Sequence, residues 1–122
     1  MKTKIVLIFL FFSLFLAAPT RAADAVVGDG TPASCTEAAF DDALATANSG
    51  GGTITFDCGP GETTIPLSLT KIVNLGNVTI NGGNQIILQA ASLERHFFAG
   101  LVTFRLQNIT LTGGDSLVNG GA

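Results

Sequence analysis

Cys35 and Cys58 are the residues of this 122-residue chain whose spacing most directly invites chemistry. An even pair of thiols in an exported chain reads as a disulfide. The bridge would close a loop of about 24 residues and contribute roughly 3 kcal/mol by restricting the unfolded chain. The acids are the next candidates. A carboxylate pair at a defined separation cleaves glycosidic bonds, and converging acids hold Ca²⁺. Asp41 and Asp42 are adjacent on a predicted helix, where neighbours do not converge, so they are expected to form a solvated face. Asp57, Glu62 and Asp115 fall in separate turns with no shared column. Arg95-His96 is the one notable basic pair. It lies beside Phe97-Phe98 in what reads as an inserted surface loop, and no catalytic role is assigned to it.

No familiar site motif is present. The chain has no GxSxG, HExxH, P-loop or CxxC pattern. "GGNQ" and "GGDS" are turn glycines, because no helix opens after them to cradle a phosphate. No catalytic, cofactor-binding or metal residue is therefore assigned, and Ca²⁺ has no support in the pattern.

The elements that would position these residues begin after a leader. Lys2 and Lys4 precede "IVLIFLFFSLFL" (5–16), and small residues follow. This is the pattern of a secretory signal peptide, with cleavage expected after Ala22. The apolar run is short for a membrane span, which takes about 20 residues. Removing 1–22 takes away Lys2, Lys4 and Arg21. Lys71, Arg95 and Arg105 then face nine acids, and the formal charge moves from −3 to −6. Such a chain is poorly suited to nucleic acid, which demands clustered Lys and Arg.

A helix is predicted within "SCTEAAFDDALATANSGGG" (34–52). Ser34 and Glu37 have the spacing of a capping box. Phe40 and Leu44, with small alanines, make the apolar stripe. After Gly52 the pattern becomes short β-type runs bounded by Gly and Asn. Three of these runs are alike: "TITFDCGP" (53–60), "NVTINGGN" (77–84) and "NITLTGGD" (108–115). Their alignment predicts two inner columns, Ile54, Val78 and Ile109 and then Phe56, Ile80 and Leu111, with an outer column of Thr55, Thr79 and Thr110 between them. Gly59, Gly83 and Gly114 fall at equivalent turns. The apolar parity flips at Gly76–Asn77 and again at Gln107–Asn108, which calls for a sharp corner at Asn77 and Asn108. Asn tolerates the left-handed conformation better than most residues. Repeats of 20–50 residues indicate stacked coils, each burying its face on the next.

These stretches, from "VVGDGTPASCTEAAF" to "LVTFRLQNITLTGGD", resemble the N-terminal part of secreted bacterial right-handed parallel β-helix proteins. The resemblance is to the pectin-lyase-like fold, in the group with a CSLREA-type start and polymorphic-outer-membrane-protein-like repeats. Here Cys35-Thr36-Glu37-Ala38 lacks the Leu-Arg of that start. The resemblance implies a mostly β fold: a right-handed parallel β-helix of about three coils behind a capping α-helix. Residues 1–22 would be the leader, 23–52 the cap and 53–122 the coils of a truncated solenoid. Phe40 and Leu44 would seat the helix on the first coil. The implied role is structural and non-enzymatic, at the cell surface, outer membrane or outside the cell. Adhesion and contact with surface glycans or surface proteins are the expected activities, with no nucleic acid and no membrane span after cleavage. An open last coil would be free to self-associate. The rival reading is a fragment of a pectate-lyase-like polysaccharide-degrading enzyme with its active site beyond residue 122.

Overall fold

The computed structural model describes residues 22–115. The expected leader, apart from Ala22, and the closing residues 116–122 lie outside the described residues. Among the described residues no helix is long and apolar enough to cross a membrane.

The chain enters through β1 (Ala25–Val27) and a 3₁₀ turn (Pro32–Ser34), then forms helix α1 (Glu37–Gly50). Phe40, Ala43, Leu44 and Ala47 recur at helical spacing and are buried. Thr36 is the N-cap: its Oγ1 accepts from the Ala39 N–H at 3.2 Å. This corrects the expected Ser34–Glu37 capping box. Ser34 belongs to the preceding 3₁₀ turn, where its hydroxyl donates to the Thr31 carbonyl at 2.6 Å and accepts from the Asp29 N–H. Gly51, at φ 83°, ends the helix with its N–H on the Ala47 carbonyl.

Six strands follow: β2 (Gly52–Phe56), β3 (Thr63–Leu67), β4 (Lys71–Val73), β5 (Val78–Ala90), β6 (Phe97–Ala99) and β7 (Phe104–Gly113). Among the described residues all pairings are parallel. One five-stranded sheet runs β1-β2-β5-β3, with β7 also on β5, and a two-stranded sheet joins β4 to β6. Pro66 sits in β3, which among the described residues pairs with β5 alone, so its missing N–H costs no ladder bond.

The described residues therefore form a small α/β fold, with one helix packed against parallel sheets. This corrects the expectation of a mostly β, right-handed parallel β-helix of about three coils. Two findings overturn it. First, β5 runs as one thirteen-residue strand through the Gly82–Gly83 turn, with a register irregularity between Asn81 and Ile86. Second, the look-alike segments do not stack in the aligned register: "TITF" lies on "NVTI" displaced by two positions, with Thr53 beside Thr79 and Ile54 beside Ile80. "NVTI" lies against "TFRL", with Val78 beside Phe104 and Ile80 beside Leu106, whereas "NITL" lies against "QIIL", with Ile109 beside Ile86. The inner column is Ile54, Ile80 and Leu106, not Ile54, Val78 and Ile109. The threonine column is absent: Thr55 neighbours Val26, Thr79 neighbours Thr53 and Arg105, and Thr110 neighbours Ile87. Burial decides this register, since it puts Ile54 on Ile80, both fully buried.

The core gathers around Phe40. Its ring stacks on Phe56 with centroids 5.9 Å apart and meets Phe97 edge-on at 6.4 Å; Phe97 in turn lies 4.9 Å from Phe104. Four aromatic rings thus link α1, β2, β6 and β7. Phe97 is in that chain because 97–99 is a strand paired with β4, not part of the expected loop insertion. Leu44 is buried in the same core.

Candidate functional site

The described residues carry one dense cluster of ionisable groups, and it joins α1 to β4. Glu37 and Asp41 lie four apart on the helix and so share a face. Lys71 begins β4 and is 6% exposed. Its Nζ lies 2.6 Å from Glu37 Oε1 and 2.7 Å from Asp41 Oδ1. Ser68 completes the arrangement, donating its N–H to Glu37 Oε1 at 2.8 Å and its hydroxyl to both carboxylate oxygens.

The electrostatics follow from these contacts. Burial pushes the Glu37 carboxyl up, but the hydrogen bonds from Lys71 and Ser68 and the Lys71 charge outweigh it and hold the group at about 2. Burial pulls the Lys71 ammonium down, and its hydrogen bonds to Asp41 and Glu37, with their charges, more than reverse this, so it is raised. Glu37 is thus ionised and without a proton to give at ordinary pH. Lys71 stays an ammonium and is no nucleophile. The cluster clamps the helix to the sheet.

Glu37 also borders an open groove of about 500 Å³, with Leu67, Ser68, Gln89, Ala91 and Ser92 on its walls. The groove offers hydroxyl and amide groups but no free carboxylate pair.

Elsewhere the expected site residues fall into place separately. Cys35 and Cys58 form the disulfide, with Cα atoms 5.7 Å apart, tying the start of α1 to the segment after β2. Asn108 has φ 50° and its Nδ2 donates to Asn81 Oδ1 at 3.2 Å. Asn77 does not have positive φ; on β5 the left-handed residues are Gly83 at 59° and Asn84 at 62°. Asn77 works as an acceptor instead, its Oδ1 taking the Thr103 N–H at 2.8 Å just before β7. Gly59 and Gly114 have φ of 81° and 76°. A side chain on Gly59 would come within 2.8 Å of the Gly30 carbonyl oxygen. Asp57, Glu62 and Asp115 stay apart, and among the described residues no three His, Cys, Asp or Glu side chains could hold a metal.

Two readings need correction. Asp41 is not merely part of a solvated face, because Lys71 reaches it; Asp42 is exposed. His96 sits in the connection just before β6, but inside the fold rather than on its surface. It is 4% exposed, and its Nε2 lies 3.2 Å from the Leu88 carbonyl and 2.9 Å from the Thr112 carbonyl. Between two acceptors that nitrogen must carry the proton, so His96 ties β5 to β7.

Sequence reasoning missed Lys71, Ser68, Asn48 and Asn81. Asn48, at the last turn of α1, accepts through Oδ1 from the N–H groups of Asn74, Leu75 and Gly76. One signal was available for Lys71: it is the only lysine after Lys4 and stands in a short apolar run, "KIV". Comparison with family models, with curated proteins and with solved structures gives no match for this chain.

Proposed function

We propose that this chain is a non-enzymatic structural module of an exported protein, released or held at the cell surface. The observation that carries the reading is the saturation of its ionic cluster. Glu37, Asp41 and Lys71 are committed to one another and to Ser68, so they hold α1 on the sheet rather than turn over a substrate. The Cys35–Cys58 bridge supports an oxidising destination. The groove beside Glu37 supports contact with glycans: Ser68, Gln89 and Ser92 offer hydroxyl and amide partners for sugar hydroxyls.

The test uses chain recovered after export from an expression host. It is incubated with a panel of neutral and acidic polysaccharides and assayed both for retention and for new reducing ends or unsaturated products. Retention that weakens in Gln89→Ala, without products, is the expected result. Product formation that disappears in Glu37→Gln would overturn the reading.

A further inference from the structure

Among the described residues one edge of the fold is left uncovered in a patterned way. Among the described residues β7 pairs with β5 alone, while α1 packs on β1 and β2 at the other side of the sheet. The register matches β7 to β5 position by position: Phe104 to Val78, Leu106 to Ile80, Ile109 to Ile86 and Leu111 to Leu88. The four β5 residues are 0–3% exposed. Their β7 counterparts are only half-buried. The backbone has the same incompleteness. The Val78 N–H donates to the Thr103 carbonyl, so Thr103 and Arg105 turn their polar groups to β5, and Phe104 and Leu106 turn theirs to the open edge. A long edge with unmet N–H and C=O groups beside apolar side chains is a template for strand addition.

The pattern of β7 names the strand that fits it. The apolar positions change parity at Gln107–Asn108, so the sequence reads alike from both ends. In an antiparallel pair of two β7 strands, Phe104 of one copy faces Leu111 of the other and Leu106 faces Ile109, with all four apolar side chains on the core side. The charge pattern agrees, because Arg105, the one charged residue of the strand, faces Thr110 and no like charges meet. Gln107 then faces Asn108, amide against amide. We propose that β7 is a self-pairing edge and that two copies of this chain associate through it about a twofold axis, the commonest symmetry of small assemblies. This stands independently of the export reading, which the oligomeric state does not test.

The experiment is sedimentation equilibrium on the exported, disulfide-intact chain over a wide concentration range. Thr110 and Arg105 are exposed, so changing them leaves the fold in place. A monomer–dimer equilibrium is expected. Thr110→Arg sets two arginines face to face and weakens the dimer by about threefold to tenfold, whereas Thr110→Asp tightens it by a similar factor. Arg105→Glu combined with Thr110→Arg restores wild-type association. A monomer at all concentrations overturns the proposal, and so does association in which the two Thr110 variants shift together or not at all. In either case the edge is left for a different occupant, such as further chain or another protein.

Discussion

Lys71 Nζ, on β4, lies 2.6 Å from Glu37 Oε1, in the first turn of α1, across 34 residues of sequence. The contact adds a charged anchor to a helix already docked through the buried Phe40, Ala43, Leu44 and Ala47. It also gives that helix only one orientation on the sheet, since Glu37 and Asp41 must both point at β4.

Lys71→Met is expected to destabilise the chain by about 1–3 kcal/mol, below the usual cost of breaking a fully buried pair, because both carboxylates keep access to water. Glu37 is 25% exposed and Asp41 49%. Chemical denaturation of the disulfide-intact chain measures it. Asp41→Asn should cost less than about 1 kcal/mol, since an exposed pair contributes little. Equal losses in the two variants would show that the ion pairs are not the anchor.

Acid should weaken the fold through Glu37. The folded-state value is about 2 against 4.5 for a free glutamate, because the Lys71 and Ser68 contacts outweigh the upward push of burial. The contribution is complete above pH 4.5 and is lost as the pH falls toward 2; solvent screening of a partly exposed carboxylate reduces it to on the order of 2 kcal/mol. Lys71 acts at the other limit. Its raised value means that its contribution is complete below pH 10.5 and is lost above that. Thermal melts of wild type and Glu37→Gln across the acid range should converge as the pH falls to about 2 if Glu37 is the cause.

Replacing both Cys35 and Cys58 with serine should cost about 3 kcal/mol, from the conformational freedom returned to the unfolded loop. The bridge spans 23 residues and is buried at both ends. Denaturant midpoints of the variant and of the reduced wild type should agree. A variant as stable as the oxidised chain would assign the bridge no part in holding the entry to α1.

Asn77 and Asn108 should differ in their response to glycine. Asn108 has φ 50°, a conformation glycine adopts freely, so Asn108→Gly is expected to change stability by less than about 0.5 kcal/mol, relief of strain offsetting the lost bond to Asn81. Asn77 accepts the Thr103 N–H, and Asn77→Gly removes that acceptor while loosening the unfolded chain, at a cost of about 1–2 kcal/mol. Hydrogen exchange at Thr103 reads the second effect directly. Unchanged protection there would remove Asn77 from its role at the start of β7.

Some of this was legible in the residues alone. The cysteine pair, the helix with Phe40 and Leu44 on its buried stripe, and the switch from helix to strands at Gly52 all follow from local rules: thiol context, helical spacing and period-two alternation; the lengths of β5 and β7, thirteen and ten residues, do not. Local rules also make Asn and Gly turn residues, although they do not say which of Asn77 and Asn84 turns left-handed. Register, partner and charge pairing were decided only by the tertiary structure. "NITL" and "NVTI" look like equivalents, yet each lies against a different stretch, because register follows the burial of whole strands rather than the likeness of eight residues. His96 looked like a loop residue until β6 paired with β4 and drew it beneath the carbonyls of Leu88 and Thr112. The clamp of Glu37, Asp41 and Lys71 joins residues 30 and 34 positions apart. Only the docking of α1 on β4 brings those charges within hydrogen-bond reach, and no spacing in the sequence encodes that contact.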